Sequence, residues 1–384
     1  MVAIFKAALN SGAFIGGPAV EAFEKQFAEF SQADHCVGVG SGTDALRFAF
    51  MAAHIGPGDA IVTAAHTFIA TSEAISQTGA RPYFVDVDSK TYNMDPIKLR
   101  DFLANKCSRN SAGQLITKDF GLKVKAVVPV HLYGQMADMD QIVATADEFG
   151  LIVIEDACQA HGAEYFSKRK NGWVRAGASG YAAAFSFYPG KNLGACGEAG
   201  AVTTCNEEVA KTIKMIRDHG QAKKYYHDTE GYNGRLDAIQ AGLLSVKLKY
   251  LESWNTSRRG LAKKYNDAFA ESGAKVVTPF EPEWSRAVYH LYVIQVEDRD
   301  GLQKRLSAAG IGTGIHYPIP LHQQRAYASL GYKTGDFPAV EALASRILSL
   351  PMFPQMADEQ LERVVDAVRS AIAPTSVAVA ATIS

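Results

Sequence analysis

The sequence predicts an α/β fold: a mostly parallel central sheet with helices on both faces, followed by a smaller C-terminal α/β domain. Three observations carry this. From about residue 12 to 250, short apolar runs alternate with helical patterns, the signature of a parallel sheet wrapped by helices. At about residue 235 a long, nearly unbroken helical pattern begins, "RLDAIQAGLLSVKLKYLESWNTSRRGLAKKYNDAFAES". Beyond it, shorter strand-like and helix-like segments resume. These features place a large domain at 12–250, a small one at 251–374 and a frayed tail at 375–384.

The elements follow in order. "HCVGVGSG", "AIVTAAH", "RPYFVDVD", "VKAVVPVHLYG" and "LIVIEDA" read as buried strands, and segments such as "TDALRFAFMAAHIG" and "MDQIVATADEFG" read as the helices between them. "YAAAFSFY" and "GAVTTC" read as two further strands. The polar, aperiodic stretch 105–123 reads as a loop insertion, and "SKRKNGWVR" (167–175) as an exposed loop. In the C-terminal part, "YHLYVIQV", "GLQKRLSAAGIG", "GTGIHYP" and the helix "VEALASRILSL" suggest the smaller α/β domain.

Composition narrows the function classes. Lys+Arg 39 against Asp+Glu 40 leaves a net charge of −1, which gives no bulk attraction to nucleic acid or anionic membrane. The five cysteines form no C-x-x-C pair, so neither a disulfide framework nor a zinc site is expected, and a reducing cytoplasm fits. No metal site is expected. No apolar run approaches membrane-spanning length, and the N-terminus lacks a signal-peptide core.

Three places carry candidate chemistry. "GVGSGTDAL" (38–46) is a glycine-rich turn from strand into helix, where free N–H groups with the Ser41 and Thr43 hydroxyls suit a phosphate. A dinucleotide fingerprint is the competing reading, but it wants an acid ending the next strand, and "AIVTAAHTF" supplies His66 and Thr67 there. A tight turn without a ligand also stays open. "LIVIEDACQAHG" puts Asp156 at the carboxyl end of a strand, the edge where open α/β sheets bind ligands. A strand-end acid that pairs with a protonated pyridine nitrogen and a helix-capping Asp are equally compatible with that segment. In "SFYPGKNLGACGEAGAVTT", Lys191 leaves a strand through a proline-glycine turn. A lysine held there partly desolvated has a lowered pKa and can form a Schiff base with an aldehyde. Together a phosphate cradle, a strand-end acid and a turn lysine are the parts that hold pyridoxal 5'-phosphate (PLP).

The order of these parts resembles the aspartate aminotransferase fold (PLP fold type I). The chain as a whole resembles the DegT/DnrJ/StrS group of nucleotide-sugar aminotransferases. The likeness runs from "FIGGPAVEAFEKQFAEF" through "GSGTDAL", "HTFIAT", "HLYGQMADMD", "EDACQAHGA", "SFYPGKNLGACGEAGAVTT" and "GYNGRLDAIQA" to "GIGTGIHYPIPLH" and "LSLPMFP". The resemblance implies that Lys191 anchors the cofactor and moves the proton, and that Asp156 pairs with the pyridine nitrogen. It further implies that Gln159 contacts the ring hydroxyl, that Phe68 stacks on the ring, and that Gly42, Thr43 and Ser186 bind the phosphate. Asn233 would join them from a second subunit, making a homodimer with shared active sites. Tyr188, His316 and Tyr317 would touch the hexose or its diphosphate. Phe68 as plain core and Asn233 as a plain turn residue stay open.

The implied reaction moves an amino group from an amino acid, L-glutamate by family analogy, to a nucleotide-linked keto sugar. The lysine turn is most like members that aminate C3 of a dTDP-3-keto-6-deoxyhexose. A UDP-linked 3-keto sugar, a 4-keto sugar and a keto-cyclitol are the alternatives. A catalytically idle PLP-binding sensory protein is the rival of another class, and an NAD-dependent dehydrogenase a more distant one. Dehydrating relatives carry histidine at the lysine position, so Lys191 argues against dehydration. Two departures from the family pattern are a short N-terminal helix and a slightly long "FSKRKNGWVRAG" segment.

Overall fold

The computed structural model describes residues 1–372; the tail expected at 375–384 lies outside them. The chain opens with α1 (Val2–Ser11) and α2 (Pro18–Phe30), then runs β1 (His35–Val39), α3 (Gly42–Ala52), β2 (Asp59–Ala64), α4 (Ala70–Gln77), β3 (Arg81–Val85) and α5 (Pro96–Lys106). Next come β4 (Cys107–Arg109), β5 (Leu115–Thr117), β6 (Lys123–Val128), α6 (Met139–Phe149) and β7 (Ile152–Asp156). A hairpin of β8 (Glu164–Ser167) and β9 (Gly172–Arg175) precedes β10 (Ala182–Ser186), β11 (Gly200–Thr204) and α7 (Glu207–Ile216). After a small hairpin, β12 (Gln221–Lys223) and β13 (Tyr226–His227), the helix α8 runs from Ala238 to Ser272. The remainder is β14 (Ser285–Arg286), β15 (Tyr292–Gln295), α9 (Arg299–Ala308), α10 (Pro338–Ala344), β16 (Ile347–Leu350) and α11 (Asp358–Ile372).

Helix ends follow local chemistry. The Asp95 carboxylate accepts from the N–H groups of Ile97 and Lys98 ahead of Pro96, and the Asn206 side chain does the same for Glu208 and Val209. Gly150 ends α6 in the left-handed conformation, at φ 74°.

The main sheet has the order β1-β11-β10-β7-β6-β2-β3. Only β11 runs against its neighbours along this path, so the sheet is mostly parallel, as the alternation of runs implies. Both faces are covered, and alternate residues of each strand enter different cores. Ala60, Val62 and Ala64 join the core under α2, α5, α6 and α8, while Ile61 joins the one under α3, α4 and α7. In the first core Phe27 meets Phe185 and Phe187 edge-on, at 5.0 and 5.1 Å between centroids. Such pairs add about 0.5–1.5 kcal/mol beyond the area they bury. A third core unites Leu261, Tyr265 and Phe269 of α8 with β15, β16, α9 and α11. α8 thus crosses position 250 without a break and serves two cores in turn.

Three segments differ from expectation. The stretch 105–123 is not a plain loop: β4 and β5 form a hairpin that extends the sheet at β6. Its turn is built locally, since the Asn110 side chain accepts from the N–H groups of Ala112 and Gln114, and Gly113 takes φ 75°. Three-residue strands are too short to show a period in sequence. Likewise 167–175 is the tip and second strand of the β8–β9 hairpin, which β14 extends. Asn171, at φ 50°, precedes Gly172 in the tight turn, and Arg286 lies over the Trp173 ring at 3.8 Å. Finally "VEALASRILSL" is not one helix: α10 stops at Ala344, and the fully buried run Ile347–Leu350 pairs antiparallel with β15.

At the end of β7 the pleat sends neighbouring acids to opposite faces. Glu155 is fully buried and bonded to His131 Nε2 at 2.8 Å and to the N–H groups of Gly177, Ser179 and Gly180 at 3.1, 2.9 and 2.9 Å. Burial pushes its pKa up, but the bonds from His131, Gly177 and Ser179 outweigh burial and hold it below the usual glutamate value. Glu155→Ala is expected to destabilise the protein by about 3–5 kcal/mol, because it strands these buried donors. A shift in the urea midpoint of the purified variant checks this.

Candidate active site

The carboxyl edge of the sheet opens into a cavity of about 660 Å³. Gly42 and Thr43 reach it from the N-terminus of α3, Phe68 from the loop after β2, Asp156 from the end of β7 and Gln159 from the turns after it. Ser186, Tyr188 and Lys191 line it from the end of β10, and His316 and Tyr317 from the C-terminal part. Asn233 does not line it; its exposed side-chain oxygen accepts from Arg235 Nη2 at 2.7 Å. A second cavity, of about 880 Å³, lies beside the end of α8, and none of the sequence-predicted residues lines it.

Glycine and proline shape the lysine turn by closing it on itself. Phe187 N–H donates to the Ala199 carbonyl at 2.8 Å, Ala195 N–H to Phe187 at 2.7 Å, and Lys191 N–H to Tyr188 at 2.9 Å. A Cβ at Gly194 would lie 2.4 Å from the Pro189 carbonyl oxygen, so only glycine fits there. The next residue, Asn192, is anchored from below: its Nδ2 donates to Asn255 Oδ1 at 3.1 Å and to the Val288 carbonyl at 3.0 Å. The Lys191 amine is desolvated by burial, which lowers its pKa below the ordinary 10.5, although Cys158 and Asp156 pull the other way.

Asp156 is no helix cap, because turns rather than a helix follow β7. Its Oδ2 accepts from the Thr71 hydroxyl at 2.7 Å and its Oδ1 from Cys158 N–H at 3.2 Å. Gln159 accepts from Tyr133 N–H at 2.7 Å and donates to the Tyr317 hydroxyl at 3.1 Å. Phe68 is 53% exposed, with its ring 5.8 Å from that of Tyr317, so it is a cavity wall and not core. At α3, the Ser41 hydroxyl is spent accepting from Asp44 N–H at 3.0 Å. The first N–H groups of the helix, those of Gly42 and Thr43, have no intrahelical partner. A Cβ at Gly42 would sit 2.6 Å from Ser186 Cβ, so the absence of a side chain lets the end of β10 close on the helix.

Sequence reading missed Thr71, Glu198 and His290, all of which line the cavity, and Tyr133 behind it; Cys158, which the sequence places beside the site without a role, lines the cavity too. Thr71 follows Thr67 by four residues, and the two hydroxyls meet at 3.0 Å. That spacing acquires meaning only once the start of α4 is known. Among the described residues, no cluster of three or more His, Cys, Asp or Glu is placed to hold a metal, and no helix is long and apolar enough to cross a membrane.

The residues present fit PLP. A helix N-terminus with unpaired N–H groups suits a phosphate. A strand-end carboxylate suits a pyridinium, an exposed aromatic face suits a planar ring, and a desolvated amine suits an aldehyde.

Comparison with known proteins agrees with this geometry. The model of the DegT/DnrJ/EryC1/StrS aminotransferase family matches residues 2–369. The chain is 44% identical over 359 residues to a "Pleiotropic regulatory protein" of Geobacillus stearothermophilus, covering 93% of this chain and 90% of that one. It is 42% identical over 365 residues to the dTDP-3-amino-3,4,6-trideoxy-alpha-D-glucose transaminase of Streptomyces venezuelae, covering 94% and 89%. The X-ray structure of DesV from S. venezuelae, in complex with a ketimine intermediate, superposes with a TM-score of 0.87 at 41% identity, covering 96% of this chain and 93% of that one. A desolvated lysine, a strand-end aspartate and a helix N-terminus around one cavity, in a chain matched over nearly its whole length, lead to one conclusion: the protein belongs to the DegT/DnrJ/EryC1/StrS aminotransferase family.

Proposed function

We propose that the chain is a PLP-dependent aminotransferase that moves an amino group from L-glutamate to a nucleotide-linked keto sugar, at C3 of a dTDP-3-keto-6-deoxyhexose. The observation that carries this is the Lys191 amine, desolvated in a rigid turn and sharing a cavity with Asp156 and the N-terminus of α3. The C3 assignment is supported by the S. venezuelae relative, whose name places its amino group at C3. When bound, PLP supplies an aldehyde and an electron-withdrawing ring.

The chain's own residues then divide the work. Gly42, Thr43 and Ser186 would hold the phosphate, Phe68 would cover one face of the ring, and Gln159 would contact its hydroxyl. Asp156, fixed by Thr71 and Cys158 N–H, would keep the pyridine nitrogen protonated through its negative charge. Lys191 would be the group that moves the proton, taking it from Cα of the amino acid and giving it to C4' of the cofactor. Tyr188, His316 and Tyr317 face the sugar nucleotide.

Charge argues for a second subunit. The cavity walls carry two carboxylates, Asp156 and Glu198, against one ammonium, Lys191, and no arginine. The ligands are a phosphate, a dicarboxylate and a sugar diphosphate, all anionic, so cations must arrive from elsewhere. The segment before Asn233 displays Lys223 and Lys224, and α1 exposes Val2, Phe5 and Leu9. We therefore place Asn233 and its neighbours in the partner's cavity of a homodimer. The free thiols Cys36, Cys107, Cys158, Cys196 and Cys205 suit a reducing cytoplasm.

A regulatory reading without turnover is favoured by the names of two relatives, the Geobacillus protein and a "sensory transduction protein" of Saccharopolyspora erythraea that is 42% identical over 357 residues. Absorption spectra decide between the two. The yellow colour of the purified protein should fade on adding L-glutamate and return with a keto-sugar nucleotide; colour that glutamate leaves unchanged sinks the glutamate-dependent reading. Lys191→Ala should lower turnover by at least on the order of 10²–10⁴-fold, measured as glutamate consumed. In the apo protein, burial favours the neutral amine, so the rate of yellow colour formation with added PLP should rise with pH. Its inflection should fall below the ordinary lysine value of 10.5. Finally, mixing inactive Lys191→Ala subunits with impaired Asn233→Ala subunits should restore activity, since one of the two hybrid cavities is then intact.

A further inference from the structure

The turn after β6 carries a buried tyrosine to which none of these roles is given. We propose that Tyr133 is a positioning residue for the acceptor side of the cavity, its phenol holding the loop of His316 and Tyr317 against the loop of His66 and Phe68. The proposal rests on the aminotransferase reading and adds to it a residue that separates the two half-reactions.

The backbone of Tyr133 is held at φ 60° and ψ 6°, a left-handed conformation unfavourable for an aromatic residue. Gly134 follows at φ 98°, and a Cβ there would lie 2.8 Å from the His290 nitrogen. Two left-handed residues in succession therefore bring this turn hard against the segment 288–291. Val288 N–H donates to the Gly134 carbonyl at 2.8 Å, and Leu291 N–H to the Tyr133 carbonyl at 3.3 Å. Strained residues of this kind persist only where their surroundings over-determine them. Here Tyr133 N–H also donates to Gln159 Oε1, and the ring meets Tyr92 edge-on at 5.6 Å.

The phenol makes the longer connection. It lies within hydrogen-bond reach of the His316 carbonyl and of His66 Nε2, the latter at 2.8 Å. A carbonyl only accepts, so the phenol donates to His316. Its oxygen must then accept from His66, which fixes the proton on Nε2. Burial keeps this arrangement constant with pH: it lowers the His66 pKa to about 4, so the ring stays neutral, and raises that of the Tyr133 phenol well above 10. One hydroxyl thus ties residue 66, two positions before Phe68, to residue 316.

The residues that serve both half-reactions are held by other bonds. Lys191 depends on the Asn192–Asn255 contact, and Asp156 on Thr71 and Cys158 N–H. His316 and Tyr317 meet the large-domain side through the Tyr133 phenol, the Gln159–Tyr317 bond and the Phe68 ring. Loss of the phenol should therefore loosen the acceptor wall and leave the lysine and aspartate in place.

The test follows each half-reaction separately by single-turnover absorbance, with L-glutamate and with dTDP-3-keto-6-deoxy-D-glucose. Tyr133→Phe keeps the ring and its backbone bonds. It should slow the acceptor half-reaction about 10-fold at subsaturating sugar, as expected for the loss of buried hydrogen bonds, and change the donor half-reaction less than about 2-fold. His66→Leu should act in the same direction, and the losses should be less than additive in the double variant, because both changes break the phenol connection, although the His66 ring also meets Tyr317 edge-on at 6.4 Å. Equal losses in both half-reactions, additive losses in the double variant, or a lowered melting temperature with both rates intact would each overturn the proposal. A wild-type protein that reacts with glutamate but passes nothing to the sugar overturns the acceptor assignment itself, and the proposal with it. That result is read on the unmutated protein and so is distinct from the others.

Discussion

A single lysine amine held partly desolvated at the carboxyl edge of a parallel sheet is the constraint around which this structure is arranged. Lysine usually keeps its charge in solvent and its stem on the surface. Holding Lys191 in a cavity requires a backbone that cannot relax, and the chain supplies one by closing residues 187–195 into a hydrogen-bonded turn with no room for a side chain at Gly194. The turn is in turn bolted to the long helix through Asn192 and Asn255. An asparagine buried in the middle of a helix is unfavourable for the helix itself. Its side chain here bonds both Asn192 and the His161 carbonyl, at 3.1 and 2.8 Å.

The sheet makes the second contribution by sorting side chains between its faces. At the end of β7, Glu155 and Asp156 are adjacent in sequence and opposite in role. Glu155 binds His131 and three backbone amides inside the protein, whereas Asp156 opens on the cavity with Thr71 and the Cys158 amide at its back. The same alternation sends neighbouring residues of β2, β6 and β10 into different cores. Chemistry at this edge therefore depends on register: a slip of one residue would exchange the structural acid for the cavity acid.

Much of the site was legible because its parts are local. A glycine turn into a helix, an acid ending an apolar run and a lysine in a proline-glycine turn are each visible within a dozen residues, and the structure brings all of them to one cavity. What was not legible involves distant partners. Thr71 and Asp156 are 85 positions apart, and Tyr133 and His316 are 183 apart. No periodicity or short motif links such pairs. The fold shows the same division: long periodic elements were readable, while the β4–β5 and β8–β9 hairpins and the strand after α10 were not. Their strands are three or four residues long, and their identity is set by the neighbours they pair with.

The sequence by itself determined the alternating layers, the strand ends that carry Asp156 and Ser186, the helix start at Gly42 and Thr43, and the turn that presents Lys191. Each of these follows from propensity and spacing within a short window. Tertiary structure alone decided that Phe68 is a wall and not core, that Asn233 stands outside its own chain's cavity, and that Glu155 and Asp156 part ways. It also decided the desolvation of Lys191, since burial is a property of what packs around a group and not of its neighbours in the chain.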